Sequence, residues 1–152
     1  MWRVAPHLRV YKVDAGDRAP NFELADDSGS GARLEDYRGK YVLLNFWATW
    51  CGPCVQEVPS LNTLQQELEP SGLIVLGISV DENKDAYDQF LDRFEVTFPT
   101  VRDPEMAVAR RYGTSMYPES YLIDRDGRVV RKYIGPEDWI RPEIVNYLRS
   151  LL

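Results

Sequence analysis

The chain has 152 residues, with 44% hydrophobic residues, 12% aromatic residues and a formal net charge of −6 at pH 7. This length suits one domain with a buried core, and the apolar content excludes an intrinsically disordered chain. Because the net charge is negative, the sequence does not predict a phosphate-binding surface, and we expect no nucleic-acid partner.

The sequence contains no apolar run of about 18 residues, so it predicts no membrane-spanning helix. No charged segment followed by an apolar segment begins at Met1, so it predicts no signal peptide either. Two interpretations stay open: the protein is cytosolic, or an export segment precedes Met1 in the full protein. Composition does not choose between these two locations.

The amino-terminal part combines an irregular extension with a short hairpin. Residues 1–15 alternate loosely between polar and apolar side chains, and we interpret them as an extension or a tether remnant. The domain itself is predicted to span residues 16–152. Within it, residues 16–24 are predicted to form a turn that leads into a short strand. A polar, glycine-rich turn follows at residues 26–31, and Ala32–Leu34 returns as a second short strand.

Two apolar runs predict the centre of a sheet. Tyr41–Phe46 and Leu73–Val80 are apolar on both faces, as expected of strands that are covered by helices on each side. Between them we predict a helix that ends at residues 70–72. Its apolar side chains recur at helical spacing: Val55, Val58, Leu61, Leu64 and Leu68.

The second half of the chain predicts three helices, an extended segment and a hairpin. Residues 81–83 are predicted to cap a helix whose inner face comprises Ala86, Tyr87, Phe90, Leu91 and Phe94. An extended segment at residues 98–102 and a short helix at Pro104–Tyr112, capped by Asp103, follow. A β-hairpin at residues 121–134 precedes a last helix at 141–151, whose inward-facing set is Ile140, Ile144, Tyr147, Leu148 and Leu151. These elements predict an α/β sheet flanked by helices, parallel in its first half and closed by an antiparallel hairpin.

The two cysteines of the chain, Cys51 and Cys54, stand between the first central strand and the helix that follows it. A disulfide across two intervening residues stabilises a fold very little. A structural zinc site needs four ligands, whereas the sequence has one histidine, His7, far from this pair. We therefore interpret the pair as a redox-active dithiol that uses no other cofactor and no metal.

The position of the pair predicts a role for each cysteine. Cys51 stands at the start of the helix, where free N–H groups and the helix dipole stabilise a thiolate, and where we expect exposure to solvent. Cys54 lies one turn further and is expected to be more buried. Cys51 is thus the predicted nucleophile on a substrate disulfide, and Cys54 is the resolving thiol that then attacks Cys51.

The segment Phe46–Cys54, FWATWCGPC, resembles the active-site segment of the thioredoxin superfamily. Residues 19–40 carry A-P-x-F-x-L, a hairpin and L-x-D-x-x-G-K, which resemble the amino-terminal hairpin of the TlpA-like and peroxiredoxin branches. The chain as a whole resembles the TlpA/ResA/CcmG-like (DsbE-like) thiol–disulfide oxidoreductases. The resemblance covers roughly residues 16–140. It implies a thioredoxin fold with an N-terminal β-hairpin extension and a central insertion, made of the helix after Asn83 and the extended segment at 98–102. It also favours an extracytoplasmic location, periplasmic or membrane-anchored, over a cytoplasmic one.

Residues 113–124 resemble the family segment in which a cis-proline faces the dithiol, which implies that Pro118 is this proline. The backbone of Tyr117 is then expected to pair with an extended substrate peptide. Pro118-Glu119-Ser120 is also similar to the Pro-Glu-Thr of the CcmG-like proteins of cytochrome c maturation.

Glu57 stands one helical turn after Cys54, where ResA-like proteins carry a glutamate. Many thioredoxins instead place an aspartate beneath the dithiol, but the matching position here is Asn45, which cannot titrate. We therefore expect Glu57, or water, to exchange the proton of Cys54. The alternative is that Glu57 is a solvated surface residue.

Trp50, Gly52 and Pro53 complete the predicted substrate-binding surface beside Tyr117 and Pro118. Trp50 is expected to contact substrate, whereas the nearby Trp47 is expected to pack in the core. Thioredoxin shares the Gly-Pro dipeptide and has a reduction potential of about −270 mV, so we expect a reductant rather than an oxidant.

Together these features predict a thiol–disulfide oxidoreductase that reduces protein disulfides, with apocytochrome c or other extracytoplasmic proteins as candidate substrates. The resemblance implies a membrane thiol donor, such as a DsbD/CcdA-like protein, and we expect a monomeric soluble domain. Two alternatives are a peroxiredoxin-like peroxide reductase and a Sco-like copper-binding module. The first would carry threonine and proline at the positions of Ala48 and Leu44, and the second would carry Cys-x-x-x-Cys and a distant histidine.

Overall fold

The computed structural model describes residues 12–25 and 31–152. The interpretations of residues 1–11, including His7, and of the turn at residues 26–30 lie outside these ranges. Four helices are α1 (Gly52–Leu68), α2 (Lys84–Arg93), α3 (Ala107–Tyr112) and α4 (Pro142–Leu151). Seven strands are β1 (Glu23–Ala25), β2 (Gly31–Arg33), β3 (Tyr41–Trp47), β4 (Leu73–Ser79), β5 (Thr100–Arg102), β6 (Glu119–Ile123) and β7 (Val129–Ile134).

The strands form two sheets. β1 and β2 pair antiparallel as a separate two-stranded sheet, as the predicted hairpin requires. The main sheet has the order β5-β4-β3-β6-β7, in which β3, β4 and β5 run parallel and β6 and β7 pair antiparallel. This arrangement confirms the predicted α/β sheet with a closing hairpin, and it places β3, which leads to the cysteines, at the centre.

Alternate residues of β3 pack on opposite faces of the sheet, as the twofold repeat of a strand dictates. The ring of Trp47 lies 5.4 Å from that of Phe90 on α2, and the ring of Phe46 lies 5.3 Å from that of Tyr112 on α3. Trp47 is 1% exposed, which confirms its predicted place in the core. The inserted helix α2 therefore covers part of one face of the sheet, beside the end of the strand that positions the cysteines.

The predicted helix at Pro104–Tyr112 is three residues too long. Asp103 does act as its cap, because its carboxylate accepts the N–H groups of Ala107, Val108 and Ala109. The chain first turns through Met106, whose φ of 58° is left-handed, and the helix begins only at Ala107. Asp103 is therefore the cap that the sequence predicts, but the sequence does not predict the turn between Asp103 and Ala107.

Three predicted inward-facing residues lie at the surface instead. Phe94 is 43% exposed and stacks on Phe90 with 4.4 Å between ring centroids, because it stands beyond the last turn of α2. Ile140 is 45% exposed, because it precedes the first residue of α4 and so lies outside the helical repeat. Ala86, in the first turn of α2, is also exposed.

The segment that precedes residue 16 contacts the domain where the structure describes it. Val13 is fully buried and donates its N–H to the carbonyl of Tyr112 at 3.0 Å. The division of the chain at residue 16 stays a prediction. Within residues 12–25 and 31–152, no helix is both long enough and apolar enough to cross a membrane.

Candidate functional site

Cys51 and Cys54 form a disulfide at the junction of β3 and α1, with their Cα atoms 5.3 Å apart. Cys51 is the N-cap of α1, and its Sγ accepts the N–H of Cys54 at 3.3 Å. Cys51 is 6% exposed and Cys54 is 2% exposed, so Cys54 is the more buried of the two, as expected. The expectation that Cys51 is exposed to solvent is wrong for the disulfide form, because Cys51 is buried as well. A helix N–H therefore points at Cys51 Sγ, where it would stabilise a thiolate.

The segment at Tyr117 and Pro118 lies against Cys51. The peptide bond between these two residues is cis, as the resemblance implies, and the carbonyl oxygen of Tyr117 lies 3.5 Å from Cys51 Sγ. The carbonyl of Pro118 accepts the N–H of Gly135 at 2.9 Å, which fixes the segment to the end of β7. The contact of Tyr117 with Cys51 Sγ explains why Cys51 is buried although it stands at a helix terminus.

An exposed apolar surface surrounds the disulfide. Trp50 is 66% exposed, and its ring meets that of Tyr117 edge-on at 6.1 Å between centroids. Gly52 and Pro53, which follow Cys51 in the chain, are also exposed. Met116, which precedes Tyr117 in the chain, is 62% exposed, and no sequence pattern predicts a role for it because a lone methionine in a loop carries no periodic signal.

The loop before the cysteines is held by Asp81, which is 3% exposed. Its carboxylate accepts the N–H of Thr49 at 2.9 Å, the hydroxyl of Thr49 at 2.6 Å and the hydroxyl of Ser79. The predicted cap of α2 at residues 81–83 is confirmed for Asn83, which accepts the N–H of Ala86, but it is wrong for Asp81, which holds the active-site loop instead. The signal that was available is an acidic residue directly after a central parallel strand, where α/β sites gather.

Glu57 is buried on α1, with 1% of its surface exposed, so the solvated alternative is wrong. One carboxylate oxygen, Oε2, accepts the indole N–H of Trp139 at 2.6 Å and the backbone N–H of Glu137 at 2.9 Å. The other, Oε1, accepts the side-chain N–H of Asn45 at 3.3 Å. The carboxylate thus joins α1 to β3 and to the loop between β7 and α4.

Burial raises the pKa of Glu57 from 4.5 to about 7, because a carboxylate loses hydration in the protein interior. The three hydrogen bonds from Glu137, Trp139 and Asn45 oppose this rise without cancelling it. A group with a pKa near 7 both gives and takes a proton readily at neutral pH. Glu57 therefore has a proton affinity suited to acid–base chemistry at neutral pH.

An open cleft of about 480 Å³ reaches Glu57 from the surface. Residues of α1 form one wall and residues of the β7–α4 loop form the other; they include Gln56, Pro59, Ser60, Pro136 and Asp138. The cleft therefore lies against a residue that is itself buried. Sequence reasoning missed this loop entirely, since Trp139 stands 82 residues from Glu57 and belongs to no motif.

Glu119, directly after the cis-proline, forms a buried ion pair with Lys132 at 3.0 Å and accepts the hydroxyl of Tyr121 at 3.1 Å. It lies opposite Phe46 of β3 in the register. These contacts anchor the start of β6 behind Pro118. In the part of the chain that the structure describes, no cluster of three or more histidine, cysteine, aspartate or glutamate residues could hold a metal ion.

Comparisons with known proteins agree with this geometry. The model of the AhpC/TSA family matches residues 15–132. The thiol-disulfide oxidoreductase ResA of Geobacillus thermodenitrificans (strain NG80-2) is 40% identical over 139 residues, 91% of this chain and 79% of that protein. ResA of Bacillus subtilis (strain 168) is 37% identical over 123 residues, 81% of this chain and 69% of that protein.

A solved structure carries the same fold. The crystal structure described as a thiol:disulfide interchange protein DsbE from Chlorobium tepidum superposes with a TM-score of 0.80 at 34% identity, covering 92% of this chain and 96% of that chain. The thioredoxin fold that the resemblance implied is thereby confirmed. The chain belongs to the AhpC/TSA family of the thioredoxin superfamily and, within it, to the ResA-like thiol–disulfide oxidoreductases, and it is an enzyme of that class.

Proposed function

We propose that this oxidoreductase reduces disulfides in extended protein segments, with Cys51 as the nucleophile and Cys54 as the resolving thiol. One observation carries the proposal. Cys51 Sγ lies between the N-terminus of α1, from which it accepts an N–H at 3.3 Å, and the carbonyl oxygen of Tyr117 at 3.5 Å. A thiolate at this position is stabilised and stands beside a backbone edge that a substrate strand can pair with.

The reaction begins from the reduced dithiol. The Cys51 thiolate attacks one sulfur of a substrate disulfide, a new S–S bond forms, and the other substrate sulfur leaves as a thiolate that takes up a proton. Cys54 then loses its proton and attacks Cys51 Sγ, which releases the second substrate thiolate and leaves the Cys51–Cys54 disulfide. Two electrons pass to the substrate, and a thiol donor must return them before the next cycle.

Glu57 is proposed as the group that exchanges the proton of Cys54. Its place one turn along α1, its burial and its pKa of about 7 support this role. The carboxylate accepts the proton as Cys54 attacks, and the cleft beside it lets the proton reach water. Glu57 is preferred to Asn45, which stands where many thioredoxins carry an aspartate but which cannot titrate.

The substrate surface is proposed to comprise Trp50, Gly52, Pro53, Tyr117 and Pro118. The exposed Trp50 ring packs on apolar side chains of an unfolded segment, and the Tyr117 backbone pairs with its main chain. Pro118 has no backbone N–H, so its nitrogen cannot donate a hydrogen bond to the thiolate in competition with the substrate. An extended, locally unfolded protein suits this surface better than a compact one.

Apocytochrome c is the proposed substrate class, and a membrane thiol donor of the DsbD/CcdA type is the proposed source of electrons. The similarity of Pro118-Glu119-Ser120 to the Pro-Glu-Thr of the CcmG-like proteins supports this assignment. The resemblance to ResA and DsbE supports an extracytoplasmic location, and we also propose that the domain is monomeric. The net charge of −6 supports a partner other than nucleic acid.

The test measures the reduction of insulin and of a synthetic peptide with an internal Cys-x-x-Cys-His disulfide, the haem-attachment pattern. Cys51→Ser should abolish both reactions, and Cys54→Ser should accumulate a mixed disulfide with the peptide through Cys51. Gln66→Ser, on the exposed side of α1 and away from the cleft beside Glu57, is the control and should reduce both substrates at the wild-type rate. Full activity of Cys51→Ser would refute the proposed nucleophile.

The same preparations test the peroxide-reductase alternative. Ala48 and Leu44 are both fully buried and apolar, so neither brings a hydroxyl or a proline ring to Cys51. We expect hydrogen peroxide consumption at least about 100-fold slower than insulin reduction, since a positioned acid–base group typically contributes that much. Comparable rates for peroxide and insulin would replace the proposed function by peroxide reduction.

A further inference from the structure

Asn45 joins two partners that belong to different elements. It lies opposite Ser120 in the pairing of β3 with β6, and both residues are 1% exposed. Its side-chain nitrogen lies 2.8 Å from the hydroxyl oxygen of Ser120 and 3.3 Å from Oε1 of Glu57. The two protons of the amide nitrogen therefore serve one partner each.

All the hydrogen bonds around the Glu57 carboxylate come from donors. Oε2 accepts two N–H groups, the backbone N–H of Glu137 and the indole N–H of Trp139. Both groups are donors only, so no rotation can turn an acceptor toward Oε2 in their place. Oε1 receives one N–H, from Asn45. A proton that arrives on Oε1 would place its O–H against the NH₂ group of Asn45, and two donors facing each other in the interior are costly.

We propose that the Asn45 side-chain amide turns by half a rotation when Glu57 takes up a proton on Oε1, so that Asn45 and Ser120 are positioning residues for proton exchange at Glu57. After rotation, the Asn45 carbonyl oxygen accepts the O–H of Glu57 and the O–H of Ser120. Ser120 changes from acceptor to donor, which a hydroxyl does by rotating its hydrogen. Each proton state of Glu57 then has a complete set of partners at Oε1.

Glu57 is the titratable group at the centre of the cluster, and charged or titratable neighbours lie on the elements packed against it, including Glu137, whose charge raises the pKa of Glu57, and Asp138 in the cleft. On α1, neither cysteine carries a proton while the disulfide is closed. On the β7–α4 loop, the Glu137 carboxylate forms an ion pair with Arg141 at 3.2 Å. On β7, Tyr133 packs its ring 4.9 Å from that of Trp139, and burial raises its pKa above 10, so it stays neutral. β3 and β6 contribute only Asn45 and Ser120, which do not titrate.

The inference rests on the proposed role of Glu57, and it is tested on the oxidised wild-type protein by nuclear magnetic resonance. The Glu57 carboxyl carbon and the Asn45 side-chain NH₂ group are followed from about pH 5 to about pH 9, a range that spans the titration. We expect nuclear Overhauser contacts from the NH₂ protons to the Ser120 side chain at high pH. These contacts should disappear at low pH, with the same midpoint as the Glu57 carboxyl signal.

Ser120→Ala and Ser120→Thr form a matched pair. Loss of the hydroxyl leaves one amide proton of Asn45 unpaired in the ionised state, so Ser120→Ala should raise the Glu57 midpoint by about 0.5 to 1 pH unit. Ser120→Thr keeps the hydroxyl and should restore the wild-type midpoint to within about 0.3. A merely structural role for Ser120 would change stability without this separation of the two variants.

Two results would overturn the inference. Asn45 contacts that stay the same while Glu57 titrates would show that the amide does not rotate, and a Glu57 signal that does not titrate would remove the reason for rotation. Insulin reduction by the same wild-type protein, after dithiothreitol has reduced its Cys51–Cys54 disulfide, separates this from the proposed function. If the protein is active but the Asn45 amide does not rotate, the proposed function stands and the proposed rotation is wrong. If the protein is inactive, the proposed function is wrong, whether or not the amide rotates.

Discussion

Replacement of Glu57 by glutamine should make the stability of the protein less dependent on pH. The carboxylate is buried, and its ionised form loses more hydration than its three hydrogen bonds return, which is why its pKa stands at about 7. Glu57→Gln removes the charge and keeps one oxygen for the Trp139 and Glu137 donors. Its new NH₂ group meets Asn45 as the protonated acid does, so the variant resembles wild-type protein at low pH.

The magnitude follows from the pKa of Glu57 in the folded state, about 7, and its ordinary value of 4.5. Each unit of difference corresponds to about 1.4 kcal/mol, so the full effect is about 3.5 kcal/mol. Between these two pH values the folded chain still holds the proton that the unfolded chain has lost. Folding therefore takes up a proton in this range, and the contribution of Glu57 to stability falls as pH rises from 4.5 to about 7 and is constant above.

The assay is urea unfolding of the oxidised proteins at about pH 5, 6, 7 and 8, with the free energy of unfolding compared between variant and wild type at each pH. Titration of the other groups is common to both proteins and cancels in the difference. We expect the variant to gain about 2 to 3 kcal/mol on wild type between about pH 5 and 8. Most of this gain should occur below about pH 7, because in that range the unfolded wild-type chain has lost the Glu57 proton that the folded protein still holds.

Glu67→Gln is the control, because Glu67 lies on the same helix α1 with about half of its side chain exposed, 48%. Its difference from wild type should stay within about 0.5 kcal/mol at every pH, as expected of a surface substitution. A flat difference for Glu57→Gln as well would mean that Glu57 has an ordinary pKa. The argument that burial outweighs the three donors would then be wrong.

Three further substitutions test the surroundings of the site by the same unfolding measurement. Trp139→Phe removes the 2.6 Å donor to the carboxylate, so it should raise the pKa of Glu57 further and move the fall in stability to higher pH. Gly77→Ala should cost about 1–3 kcal/mol, because the added Cβ would lie 2.7 Å from a threonine oxygen and 2.9 Å from an aromatic carbon; unchanged stability would mean that these neighbours move freely. Asp81→Asn should cost about 1–3 kcal/mol by replacing an acceptor with a donor in the active-site loop, while the exposed neighbour Glu82→Gln should change little.

The parts of the fold that local sequence patterns specify were predicted closely. β3 and β4 end within one residue of the predicted strands, since each is an apolar run bounded by turn residues. The helix at Pro104–Tyr112 was predicted too long, because Asp103 caps it across a turn that composition does not specify. Ile140 was placed in the core because its spacing fits α4, yet the helix begins after it.

The parts of the site that depend on long-range packing were predicted poorly. Cys51, Cys54 and Pro118 were found because motif and spacing identify them within a few residues. Trp139 was missed, since only the folded chain brings the β7–α4 loop over α1. The same packing decided between the two interpretations of Glu57, because helical spacing directs a side chain toward the sheet but does not supply the donors that bury a carboxylate.

The three donors around Glu57 set its proton affinity within narrow limits. A carboxylate this buried and without partners would keep its proton far above neutral pH, and an exposed one would be ionised under all physiological conditions. Neither could exchange protons with a thiol near pH 7. Asn45, Trp139 and the Glu137 backbone return part of the lost hydration, and the resulting pKa of about 7 falls in the range where thiolate chemistry operates. Removal of the charge would make the core more stable. The three donors therefore serve to set the pKa of Glu57 rather than to stabilise the fold.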